Sequence, residues 1–229
     1  RRAKSKSKKT AAKNPRKKSK TSCSDMGRNN QMRSHLAYLA ARLMAEDGIQ
    51  DYGAAKRKAA RQAGVPDTRE LPDNQEIEAA LKTYQSLYQA DEQPAILRGL
   101  REIALDAMER FARFNPYLVG SVLTGTAGEH SDINLHLFAD SAKEFEIYLL
   151  NEKCEFELET RNFKLGERQE AVPVYRIEHD GEIISAAVFE RDDERIMQKY
   201  KADGRSVERA KIAEVKALLG AMPERPMDT

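Results

Sequence analysis

The chain has 229 residues, with 39 Lys or Arg against 37 Asp or Glu, two cysteines, 40% hydrophobic and 7% aromatic content. That suffices for one medium domain plus an appendage. No apolar run approaches the roughly 20 residues of a membrane span, and the basic N-terminus lacks a secretory apolar segment, so the expectation is no membrane partner and a cytoplasmic location. Cys23 and Cys154 are too few and too far apart for a disulfide framework or a metal cluster.

The net charge of +2 conceals an asymmetry. Residues 1–25 hold eleven Lys or Arg and one acid, a balance of +10 that leaves −8 for residues 26–229. The first segment has no Leu, Ile, Val or aromatic residue and cannot bury enough surface to offset ordering entropy, which predicts a disordered basic tail over 1–33. Such a tail would bind RNA or DNA through phosphate charge alone, because no aromatic side chain is interleaved for base stacking.

Leu36, Leu39, Leu43 and Met44 recur at helical spacing from Ser34, and Gly48 is a stop. A second helix is predicted over Ala54 to Ala63, ended by Gly64-Val65-Pro66. Its Lys56, Arg57, Lys58 and Arg61 are candidate nucleic-acid contacts, with a solvated helix face as the plainer alternative. Asp73 with Glu76 forms a capping box for a third helix with Ile77, Leu81, Tyr84 and Tyr88 on its apolar face, completing a helical segment over 34–92.

Pro94 opens a helix bearing Leu97, Leu100, Ile103, Ala107, Phe111 and Phe114. Strands are expected at 117–123 and 133–139, then a helix capped by Ser141, and further strands at 154–165, 172–179 and 182–190, with His179-Asp180-Gly181 as a hairpin turn. Helices at 192–202 and 206–219 close a domain of residues 93–220, followed by a flexible 221–229. The fold class is α+β, a mixed sheet flanked by helices.

The stretch Tyr117 to Phe138 carries the chemistry. Leu118 and Val119 run into Gly120-Ser121, and ten residues then separate Ser121 from Asp132, which opens Asp132-Ile133-Asn134-Leu135-His136-Leu137. A period of two puts Asp132, Asn134 and His136 on one face. Gly120 and Gly125 also have P-loop spacing, but Thr126 stands where the lysine is needed, so a P-loop ATP site is excluded.

This pattern resembles the nucleotidyltransferase superfamily typified by DNA polymerase beta: an apolar strand, Gly-Ser, a spacer, then Asp-x-Asp. Gly125-Thr126-Ala127 and Ser131-Asp132 also stand where relatives commonly read Gly-Thr-Ala and Ser-Asp. The resemblance implies a nucleotidyltransferase-like sheet in which Gly120 and Ser121 hold a nucleoside triphosphate and carboxylates bind two Mg2+ ions. The chain departs at two of three carboxylates: the second is Asn134, and Gly181 to Phe189 puts Ser185 at the third.

Asp132 would be the residual metal ligand and Glu190 the acid that could restore charge; Glu157 and Glu159 are further acids near strand ends. The leading expectation is a catalytically degenerate nucleotide- or RNA-binding module. One alternative is an active Mg2+-dependent enzyme that moves a nucleoside monophosphate to an RNA, protein or small-molecule hydroxyl, and another is a structural nucleic-acid-associated protein. An ordinary strand pair, with Asp132 capping a turn, is the plainest reading. His136 is expected to be structural and His130 a loop residue, and the oligomeric state stays open.

Overall fold

The protein is described by a computed structural model over residues 23–66, 71–196, 198–199 and 206–222. The basic stretch 1–22 and residues 223–229 lie outside the described residues. The first helix, α1 (Cys23–Glu46), begins inside the stretch expected as tail, since a helix once nucleated gains one hydrogen bond per added residue. No described helix is long and apolar enough to cross a membrane.

α1 packs with α2 (Tyr52–Gln62) and α3 (Asn74–Tyr88) around a small core of its own. Ala37, Ala40, Ala41 and Leu43 meet Ala55, Ala59, Ile77 and Leu81 there, and the alanines let the helix backbones approach closely. The Asp73–Glu76 capping box forms as expected, and Arg33 Nε reaches both Glu76 oxygens at 2.7 Å. Tyr88, expected on the apolar face, is exposed.

α4 (Gln93–Arg110) buries Leu97, Leu100, Ala104, Ala107 and Met108 against the sheet, joined by α6 (Ala142–Asn151) and α7 (Ile212–Gly220). The sheet has six strands: β1 (Tyr117–Val119), β2 (Ile133–Ala139), β3 (Phe156–Leu165), β4 (Arg168–His179), β5 (Glu182–Glu190) and a two-residue β6 (Gln198–Lys199). Their order is β1-β2-β5-β4-β3-β6, with β2 parallel to β5 and every other pair antiparallel. This is a mixed sheet flanked by helices, the α+β class expected.

The two faces differ. Ile133, Leu135, Leu137, Ile184, Ala186 and Val188 face α4, α6 and α7 in the main core. The other face holds a smaller cluster of Tyr117, Phe138, Leu165, Val172, Val174, Ala187 and Phe189, and at one end it turns polar. Because the middle of β2 and β5 is covered on both sides, these strands read as nearly continuous apolar runs. Asp180 (φ 51°) and Gly181 (φ 82°) make the two-residue turn between β4 and β5, the left-handed pair that matches strand twist.

Three expectations need correction. The strand expected over 117–123 ends at Val119, and a one-turn helix, α5 (Ser121–Thr124), follows. The helix expected at 192–202 is instead a 3-10 turn (Arg191–Arg195) followed by β6, because Gln198 and Lys199 pair with Leu165 and Lys164 on the edge of β3. The last helix starts at Ile212, since Ala210 is drawn into an antiparallel bridge with Leu118, the N–H to O distances being 2.8 and 2.9 Å.

Candidate functional site: the Gly-Ser turn, Asp132 and the cleft beside them

β1 stops where it does because Gly120 adopts φ 76°, ψ −155°, a region essentially reserved for glycine. The chain turns into α5, and the Ser121 carbonyl accepts the N–H groups of Gly125, Thr126 and Ala127 at 2.9, 3.0 and 3.2 Å. Buried Arg101 of α4 donates Nε to Val122 O and Nη2 to Leu123 O, both at 3.0 Å, satisfying carbonyls that so short a helix leaves open. Its guanidinium pKa is lowered by burial. Sequence reading passed over Arg101, although an arginine on the apolar stripe between Leu97 and Ala104 was the available signal.

The signature positions converge. Asn134 of β2 is directly opposite Ser185 of β5, and Ser185 is opposite Arg176 of β4, so the three form one row across the sheet. A Cβ placed on Gly120 would lie 3.5 Å from Asn134 Nδ2, so the turn and the row adjoin. Asp132 sits just before β2 with both carboxylate oxygens engaged. Oδ2 accepts from Arg176 Nη1 at 3.2 Å and from Ser185 Oγ at 3.5 Å, while Oδ1 accepts from Gln50 Nε2 at 3.2 Å. Asn134 Nδ2 turns back to the Asp132 carbonyl at 3.1 Å.

The Asp132 side chain is 14% exposed and that of Arg176 32%. The carboxylate of Asp132 is thus paired with a half-buried guanidinium from the neighbouring strand β4. Neither Arg176 nor Gln50 was foreseen, and a lone strand arginine or loop glutamine gives no local signal. Glu182, at the start of β5, has its pKa raised by burial and then by the Asp132 charge.

Other candidates fall elsewhere. Glu190 pairs with Ala139, five residues along β5 from Ser185, roughly 16 Å away at 3.3 Å per residue, so it cannot supply the missing charge. Glu157 shares the row's face, directly opposite Arg176 on β3, but Arg176 stands between it and Ser185; Glu159 forms an ion pair with Arg161.

On α2, Lys56 Nζ donates to Asn74 Oδ1 and Lys58 Nζ to Asp47 Oδ2, each at 2.7 Å, and Arg57 pairs with Asp51 at 3.8 Å. Arg61 alone of the four extends into solvent without an ion pair to another described residue. These contacts tie α2 to its own segment and leave Arg57 and Arg61 at the surface.

His136 shares the face with Asn134 but is buried between Phe163 and Phe189, with ring centroids at 5.8 and 5.0 Å. Burial, aided by the Arg209 charge, lowers its pKa to about 3, so it stays neutral and serves packing. His130 packs its ring against Gly48, where an added Cβ would come within 2.9 Å of Cδ2. Asp106, His179 and Asp180 form the one group of three metal-capable side chains found close together among the described residues, with ligand atoms within 4.8 Å. It is solvent-facing, and the parity of His179 with Tyr175 and Ile177 puts it on the opposite face of the sheet from Ser185.

The helical segment and the first residue of α4 close over the turn. Gln85 Nε2 donates to Thr126 O at 3.0 Å, Gln93 Nε2 to Gly125 O and Ala127 O at 3.1 and 3.0 Å, and Gln50 Nε2 to His130 O at 2.6 Å. Between segment and sheet lies a cleft of about 810 Å³, bounded by the end of α1, α3, Gly120, Ser121, Thr124 and Asn134. No protein-family model matches this chain, and no curated protein is significantly similar to it.

Proposed function

We propose that this chain is a nucleotidyltransferase-like protein that does not transfer nucleotides and acts as a binding module, with the cleft beside Gly120-Ser121 as its ligand site. The observation that carries this reading is the Asp132–Arg176 pair. A magnesium-dependent transferase needs several carboxylate oxygens free to coordinate two cations. Here Asp132 has three side-chain donors, and Asn134 and Ser185 contribute no charge. The donor set does not suit Mg2+: a second cation beside Arg176 would be repelled, and of the three signature positions only Asp132 is charged and it is already paired.

The cleft supports a binding role, since its volume lies in the range of small-molecule sites and its walls come from two packed units. Incubation with labelled nucleoside triphosphates, Mg2+ or Mn2+, and total RNA or protein should give no transfer above that of Asp132→Ala. Transfer that the substitution abolishes would falsify the reading and restore the active alternative.

A second activity is supported by charge alone. Eleven Lys or Arg against one acid in residues 1–25 suit salt-sensitive, sequence-independent nucleic-acid binding. The arm carries most of that charge, and α2 adds the exposed Arg57 and Arg61. RNA gel shifts across a salt series should lose affinity steeply with salt, and a flat response would remove this activity.

A further inference from the structure

We infer that the helical segment is a hinged lid on the cleft: α1, α2 and α3 swing as one body about the turn at 89–92, latched shut by the side-chain amides of Gln50 and Gln85. The swing is independent of what the cleft binds. α1, α2 and α3 close on a core of their own, while the sheet and α4 close on another, and no buried residue is common to both. The charged side chains divide in the same way, since Arg33, Arg42, Arg57, Lys58 and Lys82 each pair with an acid of the segment itself.

Two amides bridge the cleft. Gln50 Nε2 donates to His130 O at 2.6 Å and to Asp132 Oδ1 at 3.2 Å, and Gln85 Nε2 donates to Thr126 O at 3.0 Å, with the His130 ring lying against Gly48. Water can replace each of these hydrogen bonds, so breaking one costs little net, and units joined by a polar interface move relative to each other unless close packing prevents it. Between these walls lies about 810 Å³ of space instead of interlocked side chains. The connection can bend: α3 ends at Gln89, whose φ −129°, ψ 23° is not helical, and exposed Ala90, Asp91 and Glu92 precede α4, with the Gln93 N–H to Gln89 O bond of 3.0 Å spanning the turn. Gln93 stays with the sheet, because its amide holds Gly125 O and Ala127 O. Opening withdraws Gln50 from Asp132 and uncovers Gly120-Ser121, so the lid sets access to the turn.

Spin labels at two exposed positions, Gln62→Cys on α2 and Glu157→Cys on β3, report the width of the cleft by pulsed electron paramagnetic resonance in the full chain carrying Cys23→Ser and Cys154→Ser. With the latch intact the expected result is one dominant distance and a minor longer one. Gln50→Ala/Gln85→Ala should raise the ratio of long to short distances about tenfold and Gln50→Ala alone about threefold, as hydrogen bonds of modest net strength are lost. A second pair inside the segment, Gln62→Cys with Gln75→Cys on α3, should keep a single distance in every variant.

Identical cross-cleft distances with and without the latch would overturn the lid. A distance inside the segment that broadens together with the cross-cleft one would overturn it too, because the segment would then be unfolding and not swinging as a body.

Discussion

Replacing Arg176 by Met keeps most of the aliphatic stem and removes the charge from a pair whose closest atoms are 3.2 Å apart. At about 4 Å between charge centres and an effective dielectric constant near 20, the gross attraction is about 4 kcal/mol. Roughly a third of the Arg176 side chain is exposed, so screening and desolvation reduce the net value to about 1–2 kcal/mol.

Asp132 keeps the Gln50 and Ser185 donors in the variant, which limits the loss. Urea unfolding of wild type, Arg176→Met, Asp132→Asn and the double variant forms a cycle whose coupling should be about 1–2 kcal/mol. Each single variant should lose about 1–3 kcal/mol. A coupling below about 0.3 kcal/mol would mean that the two charges do not depend on each other, and the pairing rationale would fail.

Gly48 has φ 65° and would put a Cβ 2.9 Å from the His130 ring, so Gly48→Ala should lower stability by about 1–3 kcal/mol, read as a fall in Tm, whereas Gly64→Ala adds φ strain alone. Arg101→Met strands the Val122 and Leu123 carbonyls and should destabilise by about 2–4 kcal/mol in urea.

His136 has a folded-state pKa near 3, below that of an exposed histidine, so its contribution is complete above about pH 6.5 and is lost as pH falls toward 3. Between pH 7 and 4.5 wild type should lose about 2–3 kcal/mol more than His136→Phe. Parallel pH curves for the two proteins would contradict the buried neutral ring.

Local signals carried much of the fold. The Asp73–Glu76 box, the α4 stripe, the Asp180-Gly181 turn and the apolar run of β2 each act within a few residues, and all form as their spacing predicts. The errors arise where distant pairing overrides local pattern. Val122 and Leu123 look like strand, but the Gly120 backbone turns them into a helical turn held by Arg101. Residues 192–202 look like helix, yet the free edge of β3 recruits Gln198 and Lys199.

At the site, a period of two groups Asp132 with Asn134, whereas Gly120 and Ser185 joined them only through the family resemblance, because the parallel β2–β5 pairing that sets Ser185 opposite Asn134 leaves no local signal. The donors that neutralise Asp132 were not legible, since Arg176 and Gln50 lie 44 and 82 residues away in sequence.

Whether the Asp132 carboxylate is already committed to Arg176 is tested most directly by titrating Mn2+ into wild type and Asp132→Asn and counting free ion by electron paramagnetic resonance. Superimposable curves, with only weak surface binding in both, are the predicted result. A tight Mn2+ site in wild type that disappears in Asp132→Asn would contradict it, because the carboxylate would then be holding a metal ion that Arg176 was expected to exclude.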